Sequence, residues 1–311
     1  MTVRSGSIMS IKNTQPVPMA LTRKTIASQV LLAGWRPQRD GVSHTVIANW
    51  PHRHGYYTSH HDLYHPLLLA ETIRQALALL SHTAYGIPLD HRLGWESFDT
   101  SLVPAALHTH AHPSAVHLMI THTEVSRRRL GSARLAAQVM ATRDGEPLGI
   151  ARVRYTAHPP SIYNRLRGDH ADALAATARA LPLGPALDAS VRGEQTSLDN
   201  AVLTPLGEPH RWQLRVNVAN RTFFDHPHDH IPGLVFLEAA AQAAHVLSGA
   251  RRTLATNFDA RFAHYVELDS PCWLEATPPQ RRTPGVVSTR LTGRQNDSEV
   301  FSIGVVASEH T

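Results

Sequence analysis

Two glutamates stand out chemically because each sits in an otherwise apolar stretch: Glu71 within Leu67–Leu80 and Glu238 within Leu234–Leu247. A carboxylate carried into an apolar interior costs several kcal/mol unless it is paired, so its pKa is expected to rise toward the range useful to a general base. Glu71 has Arg74 three residues on, a helical pair typically worth about 0.2–0.5 kcal/mol. Glu238 has Ala241 at that place and no local partner. His226, His228 and His230 alternate just before the second stretch, and His61–Asp62 precedes the first as His228–Asp229 precedes the second. An imidazole followed by a carboxylate suits proton transfer, or equally a stabilised turn. Pro232–Gly233 opens the second stretch, where the N–H groups of a starting helix would hold an anion and glycine would admit a close carbonyl. The alternative is that proline merely starts the helix. Gln75 and Gln242 could bind substrate carbonyls or simply be solvated. His108, His110 and His112 also alternate, in a segment read as a strand. With 22 histidines such spacing arises by accident, and no Asp, Glu or Cys completes a tetrahedral set. Neither a metal nor a cofactor is expected.

The elements that must position these groups come from a repeat. An offset of 167 lays Tyr56–Tyr57 on Phe223–Phe224, His61–Asp62 on His228–Asp229, Glu71 on Glu238 and Gln75–Ala76 on Gln242–Ala243. The same offset places Phe98 on Tyr265, Pro104 on Pro271 and Leu107 on Leu274. We read a duplication. Each copy opens with a strand (His44–Trp50; Arg211–Val218), passes a His-rich turn and enters a helix apolar almost all round (Pro66–Ser81; Pro232–Ser248), which must therefore be buried. Extended segments come next: Ala115–Val125, Arg134–Thr142 and Leu148–Thr156 in the first copy, and Arg261–Leu268, Gly285–Thr292 and Glu299–Ala307 in the second. The sequence ends soon after Ala307, which predicts a short or missing last strand. One buried helix wrapped by an antiparallel sheet is the hotdog arrangement. The expected class is α+β, a tandem (double) hotdog: a flexible leader over 1–24, modules over 25–167 and 210–311, and a linker over 168–209 with one helix near Ala171–Leu181. Packed side by side, the modules would mimic a homodimer within one chain, as a monomeric pseudo-dimer or a homodimer of such chains.

Composition narrows the function classes. Hydrophobic residues at 42% and charged residues at 18% of 311 fit a globular chain with a sizeable core, which excludes a disordered or collagen-like protein. A formal charge of +5 with a single basic triple, Arg127–Arg129, is too weak a signal for nucleic acid. The lone Cys272 excludes an internal disulfide. No apolar run is long enough to span a membrane and residues 1–24 lack a signal peptide's apolar stretch, so a cytoplasmic location is expected.

The run Phe223–Glu238, read as FFDHPHDHIPGLVFLE, resembles the signature of the A-factor biosynthesis (AfsA) hotdog family. His65–Ala76, Val30–Arg36 and Glu267–Trp273 match further family motifs, and the resemblance covers about Ala27 to Ala307 outside the linker. It implies an acyltransferase that joins a 3-oxoacyl group, carried as a thioester on acyl carrier protein or coenzyme A, to the hydroxyl of dihydroxyacetone phosphate. That step leads to γ-butyrolactone, butenolide or furan signals. The Pro-Gly-x-x-x-x-Glu-Ala-x-x-Gln pattern, Pro232 to Gln242, is also similar to 3-hydroxyacyl-carrier-protein dehydratases. A dehydratase, a thioesterase and a non-catalytic acyl-binding regulator are therefore the alternatives.

Such a transfer needs a base and an oxyanion site, not a nucleophilic cysteine. Glu238 is expected to be the principal base, with Glu71, His228, His230, His226 and His61 as further catalytic candidates. Arg74, Gln242, Gly233, Gln75 and Arg221 are the expected substrate contacts. Ala241 departs from the family pattern, which carries arginine there, so Arg74 or Arg221 is expected to meet the phosphate. Arg127–Arg129 is either a solvated strand end or a docking patch for an acidic carrier protein.

Overall fold

The computed structural model describes residues 14–58, 62–188, 197–250 and 252–310. Residues 1–13 of the expected leader, His61 and residues 189–196 of the expected linker lie outside them. The first copy runs β1 (Leu32–Pro37), β2 (Ser43–Trp50), α1 (Leu67–Thr83), β3 (Arg92–Leu102), β4 (Ser114–Arg127), β5 (Ala133–Arg143) and β6 (Glu146–His158). Short helices α2 (Pro160–Arg167) and α3 (Ala173–Ala178) come after it. The second copy runs β7 (Leu203–Pro205), β8 (Arg211–Leu214), α4 (Gly233–Ser248), β9 (Thr253–Phe262), β10 (Trp273–Ala276), β11 (Gln280–Thr283), β12 (Val286–Gln295) and β13 (Ser298–Glu309).

Helices α1 and α4 form because both are rich in Leu and Ala with no interior Gly or Pro, and they bury nearly every side chain. Proline stands just before each first turn, and Gly249, at φ 65°, closes α4 in the left-handed conformation that glycine adopts without a Cβ penalty. The strands show the period of two expected of a sheet with one buried face, as in β4, where buried and half-buried positions alternate from Ser114 to Thr121. A single antiparallel sheet results, in the order β1-β2-β4-β5-β6-β3-β9-β13-β12-β10-β8-β7, with β11 beside β12. That order reads the same from either end once each strand is replaced by its counterpart in the other copy. The seam is β3 on β9, with Asp99 opposite Asp259, so each module's open edge is covered by the other. Tyr56 meets its own repeat mate Phe223 edge to face, ring centroids 4.9 Å apart, as contacts on a twofold axis require. The fold is a tandem hotdog. Among the described residues, no helix is long and apolar enough to cross a membrane.

Several expectations are corrected. The offset of 167 aligns the two helices but not the strands beyond them, because the connection to the next strand spans 84–91 in the first copy and only 249–252 in the second. Phe98 lies in β3 whereas Tyr265 lies beyond the end of β9, and Pro104 and Leu107 bound a 3-10 turn whereas Leu274 is in β10. The strand expected at Arg261–Leu268 is accordingly β9, starting at Thr253. β8 stops at Leu214, short of Val218. The last strand is neither short nor missing: β13 has 12 residues and pairs with both β12 and β9. His108, His110 and His112 lie in the loop before β4, not in a strand. Within the segment read as a leader, Met19–Thr22 forms a 3-10 turn against α1, and Lys24 is buried.

Candidate active site

The two helices pack on each other, and the turn of each copy approaches the helix of the other. Two junctions result, related by the pseudo-twofold axis, and their chemistry has diverged.

At the first junction the second copy's turn reaches α1. Lys24 Nζ donates to the Thr222 carbonyl (3.2 Å) and the Thr25 N–H to Asp225 Oδ2 (2.8 Å), stitching the start of the chain to that turn. Between them lies a cavity of about 550 Å³ whose lining includes Glu71, Arg74, His226, His228, His230 and Gly233. Glu71, 1% exposed, is fully engaged: Arg74 donates to both its oxygens at 2.8 Å, Gln75 Nε2 donates to Oε1 at 2.7 Å, and Lys24 Nζ lies 3.3 Å away. Burial would raise this carboxyl, but the Arg74 and Lys24 charges and the donated hydrogen bonds outweigh it and hold the pKa at about 2. The expectation of a raised pKa fails at Glu71, because two cations converge on it rather than one. Both its oxygens are thus held by donors, in the environment of a counter-ion.

The histidines of the turn differ from one another. His226 Nδ1 meets Asp225 Oδ1 at 2.7 Å and His230 Nδ1 meets Asp229 Oδ1 at 3.0 Å. Among the described residues the Nε2 of each ring makes no hydrogen bond. Asp229 is itself locked in place by the Tyr163 hydroxyl (2.5 Å), Arg167 Nε (3.2 Å) and Arg167's bond to its carbonyl (2.8 Å). Burial would raise the Asp225 and Asp229 carboxyls, yet both are held below the usual range, chiefly by the histidine each one faces. His228 stacks on His226 (centroids 4.4 Å) with its Nε2 buried and unpartnered. Burial, and then the charges of His226, His230 and Arg74, push it down to about 3. It stays neutral at physiological pH and is too weak a base to lead. Asp225, His226 and His228 bring ligand atoms within 4.8 Å of one another. An aspartate thus does join two of the histidines, contrary to the expectation from spacing, although both its oxygens already hold hydrogen bonds from His226 and Thr25.

At the second junction Glu238 is completely buried. Gln242 Nε2 donates to its Oε1 at 2.7 Å, while Oε2 has no hydrogen-bond partner and faces His65 Nε2 at 3.3 Å. Tyr56 lies beside it, and burial followed by the Glu238 charge pushes that phenol up. The neighbouring sequence offers Glu238 an amide but no cation, and a histidine from the other copy faces its second oxygen. Glu238 does not line the cavity of the first junction.

Gln75 and Gln242 have a different task from the one expected. Gln75 accepts from the Leu31 N–H and donates to the Gln29 carbonyl, and Gln242 accepts from the Val202 N–H and donates to the Asn200 carbonyl. Each also donates to its glutamate, so both amides are consumed by the fold. At Gly233 a Cβ would stand 3.1 Å from the Trp95 ring, so ring packing accounts for the glycine there. Arg74 is committed to Glu71 and to the Thr22 carbonyl. Arg221 is exposed and outside the lining.

Sequence reasoning missed Lys24, His65, Tyr163 and Arg167. Lys24 carries a faint signal, since Lys12 and Lys24 are the chain's two lysines. His65 carries a better one, since it stands where the other copy has Pro232.

A profile of the A-factor biosynthesis hotdog domain matches residues 10–159 and 196–307. The chain is 34% identical over 290 residues to 2-oxo-3-(phosphooxy)propyl 3-oxoalkanoate synthase of Streptomyces virginiae, covering 93% of this chain and 96% of that protein. It is 33% identical over 291 residues to the protein of the same name from Streptomyces coelicolor, covering 92% and 90%. Among solved structures, an acyl-ACP thioesterase from Bacteroides thetaiotaomicron shares the fold with a TM-score of 0.50 at 11% identity, covering 88% of this chain and all of that one.

Proposed function

The chain belongs to the A-factor biosynthesis hotdog family, and on that premise we propose that it is an acyltransferase joining a 3-oxoacyl group, delivered as a thioester, to the free hydroxyl of dihydroxyacetone phosphate. The product is a 2-oxo-3-(phosphooxy)propyl 3-oxoalkanoate, the compound for which its relatives are named, and the step leads to a γ-butyrolactone, butenolide or furan signal. Acyl carrier protein brings the thioester, with coenzyme A as the alternative carrier.

The observation that carries this reading is the His230–Asp229 pair in the cavity wall, with Nδ1 on the carboxylate and Nε2 left for substrate. Asp229 fixes the tautomer and orientation of the ring, and Tyr163 and Arg167 fix Asp229. His230 Nε2 takes the hydroxyl proton as the oxygen attacks the thioester carbonyl carbon. The Gly233 and Leu234 N–H groups that open α4 in the cavity lining hold the oxyanion, the Val235 N–H being taken by the Pro232 carbonyl. The C–S bond then breaks and the proton returns to the departing thiolate, giving ester and thiol. His226 on Asp225 is the alternative base. Transfer is direct, because Cys272 is buried outside the cavity and burial pushes its thiol up to about 12.

A second reading places the base at the other junction, in the Glu238–His65 pair. It is favoured by an Oε2 that accepts no hydrogen bond and has no Lys or Arg within ion-pair distance among the described residues. One experiment tests the reaction itself. Purified protein is given a 3-oxoacyl thioester with and without dihydroxyacetone phosphate, and a 3-hydroxyacyl thioester in parallel, and the products are identified by mass. The phosphorylated ester is expected. Free acid alone would make the chain a thioesterase, an enoyl product a dehydratase, and unreacted ligand a binding protein.

A further inference from the structure

The cavity that holds the histidines is lined by four basic side chains, Lys24 among them, and by four carboxylates, of which Glu71 faces Lys24 and Arg74 and Glu96 faces Arg134 outside the cavity. Arg23, Arg74 and Arg92 all line it. Arg74 is satisfied by Glu71, and Asp225 and Asp229 are taken by their histidines and by Thr25, Tyr163 and Arg167. Arg23 and Arg92 have no carboxylate within ion-pair distance among the described residues. Arg23 closes the Met19–Thr22 turn in the left-handed conformation, at φ 59°, a shape unusual for a side-chain-bearing residue. From there its guanidinium donates to the His91 carbonyl, while its Nε is buried with no acceptor. Arg92, at the start of β3, lies with its guanidinium 5.8 Å from the Tyr163 ring centre. Burial, and then the charges of Arg92 and Arg74, bring the Arg23 pKa down to about 10, with only exposed Asp90 acting the other way. Cations that depress one another's ionisation gain when an anion enters between them.

We propose that Arg23 and Arg92, backed by Arg74, form a phosphate-binding site in this cavity. The uncommitted donors carry the argument: a buried Nε without an acceptor and a second guanidinium on the same cavity wall match the planar, multi-donor recognition that phosphate oxygens favour. Two phosphates could use it, that of dihydroxyacetone phosphate and that of the phosphopantetheine arm of the acyl carrier. Only the assignment of the phosphate to a substrate rests on the function proposed above.

The test has a catalytic and a non-catalytic arm, on wild type and on Arg23→Gln and Arg92→Gln, each checked for folding by circular dichroism. Kinetics use a phosphate-free N-acetylcysteamine thioester as donor, so the acceptor brings the only phosphate. KM for dihydroxyacetone phosphate is expected to rise at least tenfold in each variant, with turnover of unphosphorylated dihydroxyacetone unchanged. A parallel series uses the carrier-protein thioester as donor, and a rise in KM confined to that donor would assign the same site to the phosphopantetheine phosphate. Calorimetry with inorganic phosphate needs no catalysis: wild type is expected to bind and the paired variant not to. Phosphate binding without acyl transfer would remove the proposed reaction and keep the site. Unchanged KM in every arm, together with equal phosphate binding by wild type and variants, would overturn it. Because Arg23 also holds the His91 carbonyl, Arg92→Gln, at an exposed position, is the decisive variant if Arg23→Gln does not fold.

Discussion

Removing the Glu71 charge should destabilise the protein in a way that depends on pH. The carboxyl is 1% exposed and its pKa is about 2 in the fold against 4.5 for the free group. A difference of roughly 2.5 units at about 1.4 kcal/mol per unit is worth about 3 kcal/mol. The folded pKa is the depressed one, so this stability is fully present above pH 4.5 and is lost as pH falls toward 2. Glu71→Gln keeps the shape but leaves Lys24 and Arg74 without their counter-ion, a change expected to cost about 3–5 kcal/mol at pH 7. Urea denaturation of both proteins in steps from pH 7 to pH 3 reads the two curves. Asp225 and Asp229 also sit below their usual range, so both proteins weaken in acid and only the difference isolates Glu71. That difference should be large and flat from pH 7 to about pH 5 and shrink below it. A difference that stays constant down to pH 3 would refute the reasoning, since a carboxyl that takes up no proton on unfolding there cannot have a depressed pKa in the fold.

The same geometry sets three other outcomes. His230→Gln should lower kcat at least 100-fold with little change in KM, on the usual scale of general-base loss, while Glu238→Gln stays within tenfold. The reverse order, measured by steady-state kinetics on folded variants, would move the base to the Glu238–His65 junction. Tyr163→Phe removes one of the bonds that hold Asp229. It should cost about 1–3 kcal/mol in denaturant unfolding and lower kcat more than it changes KM. Gly233→Ala brings a methyl to 3.1 Å from the Trp95 ring, and also touches Phe262. A loss of about 1 kcal/mol is expected, read as a lower urea midpoint, because the ring must yield by a few tenths of an ångström.

What the sequence determined by itself is whatever depends on periodicity and on repetition. The largely apolar character of Leu67–Leu80 required a buried helix, its repetition at Leu234–Leu247 required two such helices, and segments rich in Val, Ile, Thr and Arg placed β4, β5, β6, β12 and β13 to within about three residues at each end. Hydrophobic burial is nearly independent of which partner covers the surface, so a pattern along the chain suffices to foresee it. The repeat could not foresee where its own register breaks. The connection after α4 shortens to 249–252, a change no periodic signal marks, and it moved β9 away from the expected Arg261–Leu268. The site was legible in its residue types but not in its pairings. Arg74 already set Glu71 apart from Glu238 in the sequence, yet neither Lys24, which completes the first pairing, nor His65, which makes the second, could be foreseen. Lys24 comes from the segment read as a leader, and His65 comes from the opposite copy. Charge pairing acts over a few ångströms and is set by whichever chain segment the packing brings across the junction. Only the tertiary structure could therefore add a second cation to the Arg74–Glu71 pair and set an imidazole from the other copy against Glu238.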